Sequence, residues 1–300
     1  MKTIEIGPWF KCNCRCRFCF VPPDVRESNF DTREIQKELV WGRSQGATYL
    51  YLGGGEPTLR RDIVPVIRYA KKLGYTEIDL KTNGILLCYP DFTRKCVEAG
   101  ATIFTIPIWG AEPHEHDFMA RTPGSFERSE VGIKNALDAG SQVQIDILVT
   151  TLTTPRLADI VRYFCNIGVR KYSFWFLSLF GMEESGEEDF SSYLPRFTDV
   201  MPHICEAFHA AEEFGADIYM SRITPCVVPD DLMKYYRTIR EFDMVIVAPG
   251  NRFRGEESPF EGGPKLPSCD ACRLSYNCLG IREDYARVHG TDEFKPIRDL

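Results

Sequence analysis

The 300-residue chain is long for one ordinary domain but suits a single α/β barrel with an appendage. Its 44% hydrophobic content can fill a large core, yet no stretch approaches the ~20 uninterrupted apolar residues of a membrane span. A net charge of −7 argues against a nucleic-acid partner, and the N-terminus has no signal-type apolar segment, so a cytoplasmic protein is expected.

Strands are expected at Thr3–Ile6, Thr48–Leu52, Glu77–Lys81, Thr102–Ile108, Val143–Val149 and Lys171–Leu177. Each concentrates β-branched or aromatic residues and is followed by a segment of helical period. Asp31 and Glu34 have the form of a capping box ahead of Ile35, Leu39 and Val40. Thr154-Pro155 reads as a cap with proline in the first turn, leading into the apolar face of Leu157, Ile160, Val161 and Phe164. Leu194, Phe197, Met201, Ile204 and Phe208 predict a long helix kinked at Pro202. The acidic run Glu183 to Asp189 reads as a solvated loop.

Six βα units in sequence favour a parallel sheet, because parallel neighbours need crossovers. A doubly wound sheet and an open (β/α)6 barrel both fit, and either puts function at the C-terminal ends of the strands. Past Gly215 the alternation gives way to prolines and glycines, so the chain divides into an α/β unit over 1–215 and a loop-rich region over 216–300.

Twelve cysteines without a secretory signal point to metal ligation rather than disulfides. Cys12, Cys16 and Cys19 give C-x3-C-x2-C directly after the first strand, with Cys14 as an extra thiol between them. Three thiolates on one loop can hold three irons of a cubane and leave the fourth open to a ligand. Zinc is the competing reading, but it usually takes four ligands in C-x2-C or histidine pairs, and the nearest histidine is His114.

The second strand runs into Gly53-Gly54-Gly55-Glu56-Pro57, where glycines let a ligand approach the backbone and a carboxylate can pair with an ammonium. A capped βα turn is the plain alternative. The third strand ends in Lys81-Thr82-Asn83-Gly84. In the tail, Cys269, Cys272 and Cys278 give C-x2-C-x5-C, and Cys226 is available as a fourth thiol for zinc or an iron–sulfur cluster. Cys88, Cys96, Cys165 and Cys205 read as small buried apolar residues, and His114 and His116 as surface residues at a helix entrance.

These motifs, in this order, resemble the radical S-adenosylmethionine (SAM) superfamily, whose motif is C-x3-C-x-aromatic-C, with Phe18 in the aromatic place. The resemblance implies a partial (β/α)6 barrel with a loop-rich C-terminal extension. It implies a [4Fe–4S] cluster on Cys12, Cys16 and Cys19, with SAM chelating the open iron. Gly54, Gly55 and Glu56 would hold the SAM amino group, and Thr82 and Asn83 would lie near SAM. Arg121 matches an arginine that pairs with the SAM carboxylate in some subfamilies, and Gln144 a contact on the fifth strand. The fourth strand departs from the pattern, with Pro107 where many relatives have serine and Trp109 where they have aspartate.

The C-terminal spacing is similar to that of the SPASM and twitch subfamilies, which carry auxiliary [4Fe–4S] clusters. Arg282 stands where a full SPASM domain has its last cysteine, so one auxiliary cluster on Cys226, Cys269, Cys272 and Cys278 is expected. The implied activity is reductive cleavage of SAM to a 5′-deoxyadenosyl radical that abstracts a substrate hydrogen, in an oxidoreductase that oxidises or crosslinks a peptide or protein. An enzyme of small-molecule or cofactor biosynthesis is the alternative, followed by a non-enzymatic iron–sulfur or zinc protein. A low-potential electron donor such as a ferredoxin or flavodoxin is implied as partner. The chain starts at its first strand, which leaves no N-terminal peptide-recognition domain, so another protein would have to deliver a peptide.

Overall fold

A computed structural model describes residues 1–19, 21, 27–180, 182, 189–258 and 260–298. Most of the expected acidic loop, Glu183 to Glu188, lies outside the described residues. The six expected strands form as β1 (Thr3–Ile6), β2 (Tyr49–Leu52), β3 (Glu77–Lys81), β4 (Ile103–Pro107), β5 (Gln142–Val149) and β6 (Lys171–Phe176). They alternate with α1 (Thr32–Ser44), α2 (Ile63–Leu73), α3 (Pro90–Ala99), α4 (Pro113–Ala120), α5 (Ser125–Asp138) and α6 (Leu157–Asn166), and α7 (Phe197–Glu213) follows.

The Asp31 carboxylate accepts from the Glu34 amide while Glu34 answers the Asp31 amide, so the capping box starts α1 as expected. Two local expectations are corrected. The Thr154 hydroxyl donates to the Thr150 carbonyl instead of capping α6, and Thr154–Arg156 makes a 3-10 turn before that helix. Helix α7 begins at Phe197, three residues after Leu194, and runs through Pro202 to Glu213.

Among the described residues the sheet has nine strands, in the order β7-β6-β5-β4-β3-β2-β1-β8-β9. Three of them come from the region expected to be loop-rich: β7 (Asp217–Ser221), β8 (Met244–Ala248) and β9 (Asn251–Arg254). Neighbours from β7 through β1 to β8 are parallel, and only β9 runs antiparallel, against β8. The result is a mostly parallel sheet that forms a partial barrel.

One face of the sheet is apolar. Ile4, Ile6, Leu50, Leu52, Leu80, Phe104, Ile106, Ile145, Ile147 and Phe174 are fully buried there. The strand register puts Glu5, Tyr51, Asp79, Lys81, Gln144, Asp146, Ser173 and Tyr219 on the other face. A parallel sheet packed on both sides by apolar layers would read as continuous hydrophobic runs. This polar alternation marks the inside of the partial barrel as a polar chamber. The last described helix, α8 (Glu283–His289), ties the tail down: its Tyr285 stacks on Phe197 at 3.9 Å and donates from its hydroxyl to Glu293.

Candidate functional site

Three motif segments meet at the C-terminal ends of β1 to β3. The Gly55 amide donates to Trp9 O (2.6 Å) and the Glu56 amide to Lys11 O (2.9 Å), clipping the G-G-E-P turn to the chain entering the cysteine loop. No side chain fits in this contact. A Cβ on Gly55 would stand 2.5 Å from the carbonyls of Phe10 and Lys11, and Gly54 holds φ +96 with Trp9 O equally close.

Glu56 has no exposed surface. Its Oε1 accepts from the Thr58 amide (3.0 Å), the Thr58 hydroxyl and the Thr82 hydroxyl (2.7 Å), and its Oε2 from the Asn83 amide (2.7 Å). A carboxylate has about two lone-pair sites on each oxygen; three donors crowd Oε1, while Oε2 takes one. Burial raises its pKa, and the hydrogen bonds oppose that shift without overcoming it. Glu56 thus braces the second-strand turn against the third-strand turn.

Asn83 extends this brace to the cysteines. Its Nδ2 donates to Asn13 Oδ1 (2.7 Å) and lies 3.4 Å from Cys14 Sγ, while its Oδ1 accepts from the Ile85 amide (3.0 Å). On its far side the cysteine loop is pinned to the end of α4, through Arg15 N to Ala120 O (3.3 Å) and Arg17 N to Met119 O (2.9 Å). Arg121, exposed and left-handed at φ +48, ends that helix beside the loop. Phe18 is buried and packs edge-on against Phe190 (5.7 Å) and Tyr193 (5.2 Å).

Cys12, Cys14 and Cys16 form one run of sulfur contacts. The hydrogen bond to Cys14, then burial, push the Cys12 thiol up. For Cys14 the contact with Cys12 is lowering, but the one with Cys16 and burial prevail and push it up to about 12. Among the described residues no three His, Cys, Asp or Glu side chains converge as in a loaded metal site. What fits a cluster is the donor chemistry: neighbouring soft thiols on one loop that backbone contacts hold in place.

The four tail cysteines come together. Cys226, Cys269, Cys272 and Cys278 line one small cavity, and burial together with the charges of the other three pushes Cys226 up to about 12. Their donor chemistry fits zinc or an iron–sulfur cluster equally. Arg282, in the place of a further cysteine, is 4% exposed. It donates to the carbonyls of Phe176 (3.2 Å) and Leu177 (2.5 Å), and its Nε stands 3.3 Å from Asp284. The tail is thereby bolted to the end of β6.

Gln144 lies in the chamber, where its Nε2 donates to Asp146 (3.0 Å) and Ser173 (3.2 Å). Lys81 pairs with Asp146 at 2.9 Å and leans on the Trp175 ring. Gln144 was expected near SAM, but the charged residues around it escaped the sequence reading. Their signal was there to find: Glu5, Asp79, Lys81 and Asp146 are charged residues inside strands expected to be parallel and buried. His116 corrects the expected surface position. It is 3% exposed, its Nδ1 accepts from the Trp109 amide (3.3 Å), and burial pulls its pKa down to about 4. His114 stays at the surface near Glu112. Cys96 and Cys165 are buried as expected, while Cys88 and Cys205 are partly exposed.

No helix among the described residues is long and apolar enough to cross a membrane. In sequence, the chain is 30% identical over 175 residues to a probable GTP 3′,8-cyclase of Saccharolobus solfataricus, covering 57% of this chain and 55% of that protein. The chain spans about half the length of the curated relatives it matches. In structure, it resembles SuiB of Streptococcus suis bound to S-adenosylmethionine, with TM-score 0.67 and 14% identity over 99% of this chain and 76% of that one. SuiB bound to the precursor peptide SuiA gives TM-score 0.59 and 15% identity over 73% and 48%. The profile of the radical SAM superfamily matches residues 6–164, more than half of the chain. The chain therefore belongs to the radical SAM superfamily, and that membership implies SAM and one [4Fe–4S] cluster as its cofactors.

Proposed function

We propose that this chain is a two-cluster radical SAM enzyme that removes a hydrogen atom from a peptide or protein substrate, leading to its oxidation or crosslinking. The observation that carries the reading is the clipping of the cysteine loop, the G-G-E-P turn and the T-N-G turn into one unit at the C-terminal edge of the sheet. When bound, the cluster on Cys12, Cys16 and Cys19 supplies the electron that splits SAM into methionine and a 5′-deoxyadenosyl radical. A low-potential donor such as a ferredoxin or flavodoxin would deliver that electron.

In this reading Gly54 and Gly55 let SAM approach the backbone, and Glu56 sets the spacing of the two turns rather than being the sole ligand of the SAM ammonium. Thr82 and Asn83 fix the same edge, with Arg121 beside the loop to meet a carboxylate and Gln144 deeper in the chamber. Cys226, Cys269, Cys272 and Cys278 hold the auxiliary [4Fe–4S] cluster, which supports a twitch-like tail over 216–300. SuiB, whose fold follows nearly the whole of this chain, binds a precursor peptide, which favours the peptide reading.

The test is anaerobic incubation with SAM and a strong reductant. 5′-Deoxyadenosine should form with the wild type and not with the Cys12→Ala/Cys16→Ala/Cys19→Ala variant; none from the wild type would reject the proposal. The named activity of the sequence relatives favours a second reading, a small-molecule substrate. Faster 5′-deoxyadenosine formation with GTP than with any added peptide would select it.

A further inference from the structure

A small cleft lies between the C-terminal end of β7 and the tail, next to the cavity of the four cysteines. Arg222, Arg237, Arg282 and Glu261 are its charged lining, a cationic excess in a chain of net charge −7. Two of these arginines are committed. Arg282 serves the carbonyls of Phe176 and Leu177, and Arg237 those of Lys234 (2.9 Å) and Tyr236 (2.8 Å).

Arg222 is different. Its guanidinium lies 5.0 Å from the Trp175 ring and 5.2 Å from the Phe260 ring, and its Nε donates to Glu261 at 2.8 Å. Among the described residues nothing pairs with its two terminal nitrogens. Its backbone sits at φ +61, a left-handed conformation rare for arginine. Beside it Ser221 is fully buried with a hydroxyl that has no partner, although a buried hydroxyl normally finds one.

A guanidinium held by two rings and steadied through Nε presents a fixed fork, the geometry that receives two oxygens of a carboxylate or phosphate. Arg222 also lies within electrostatic reach of Glu5 and Lys81 on the polar face of the sheet. We infer that Arg222, assisted by Ser221, binds a carboxylate or phosphate of the substrate and anchors it between the barrel chamber and the four-cysteine cavity. This rests on the reading that the substrate is handled at this edge of the sheet.

The test uses reconstituted protein with saturating SAM, and inorganic phosphate and N-acetylglycine as separate probes for a phosphate and for a peptide-type carboxylate. Binding is followed by ligand NMR line broadening in the wild type, Ser221→Ala and Arg222→Gly. Glycine suits φ +61, so this variant loses the guanidinium without backbone strain. One probe should bind the wild type and weaken by about tenfold or more in Arg222→Gly, as for the loss of a charge-assisted bidentate pair. Ser221→Ala should weaken it by a smaller factor.

Preference for phosphate assigns a phosphorylated substrate, and preference for N-acetylglycine a carboxylate. Equal binding in wild type and Arg222→Gly overturns the inference, as does binding of neither probe. Competition by SAM would also overturn it, because the site would then be SAM's own. Radical chemistry is read separately: 5′-deoxyadenosine without anion binding rejects the anion site alone, and anion binding without 5′-deoxyadenosine rejects only the proposed function.

Discussion

Glu56 accepts four hydrogen bonds from residues of two turns, and glutamine could not take its place unchanged. Either orientation of the amide would turn its NH2 toward a backbone N–H, of Thr58 or of Asn83. Glu56→Gln should therefore cost about 1–3 kcal/mol, the penalty for a buried group left unpaired. Urea unfolding of the metal-free chain measures it; a change below about 0.5 kcal/mol would mean that the brace is not needed. His116 gives a pH dependence. Its folded pKa of about 4 lies below the ordinary 6.5, so its contribution is complete above pH 6.5 and is lost as the pH falls towards 4. The full loss is of order ~3 kcal/mol. His116→Asn, which keeps an acceptor for Trp109 but does not titrate, should lose less stability than the wild type between pH 7 and 5. Parallel urea midpoints for the two proteins would contradict this.

At the scale of elements, the glycine turn is a backbone-to-backbone contact, and neighbouring glycines there differ sharply. A Cβ at Gly55 would strike carbonyls at 2.5 Å, whereas at Gly53 the nearest atom is 3.6 Å away, on Glu5. Gly55→Ala should displace the cysteine loop and cut the iron retained at the first site, while Gly53→Ala should retain it. Iron assays on the two variants read the difference, and equal retention would argue against the clip. Arg282 is the bolt between tail and barrel. Arg282→Met leaves Asp284 and two carbonyls to find new partners and should destabilise by about 3–5 kcal/mol, as for a broken buried ion pair. Limited proteolysis should then cut the tail first; an unchanged digestion pattern would show that α8 holds it alone.

The elements the sequence revealed are those whose cause is local. The capping box at Asp31 and Glu34 and the six strands of the first 177 residues sit where period and punctuation put them. The motif segments were readable because each is a short run of unusual composition. Three things were not readable. Met244–Ala248 is a brief apolar run among prolines, and what makes it a strand is a partner, β1, about 240 residues away. His116 is buried through the turn at Trp109, a tertiary contact that its own helix does not reveal. The bracing of Glu56 depends on Thr82 and Asn83, which come from the turn after the next strand.

Across the whole molecule, one sheet carries both cysteine sets. The first follows β1 near one end of the strand order, and Cys226 follows β7 at the other end. Curling that sheet into a partial barrel brings residues from its two sides, such as Glu5 and Arg222, into electrostatic reach across a polar chamber. The central claim is that each cysteine set holds its own iron–sulfur cluster. Iron and acid-labile sulfide per chain, measured after anaerobic reconstitution, test it most directly. The wild type should hold about eight irons, falling to about four in the Cys12→Ala/Cys16→Ala/Cys19→Ala variant and to about four when Cys269, Cys272 and Cys278 are replaced. A wild-type content of about four irons, whichever triple substitution removes them, or no iron at all, would contradict it.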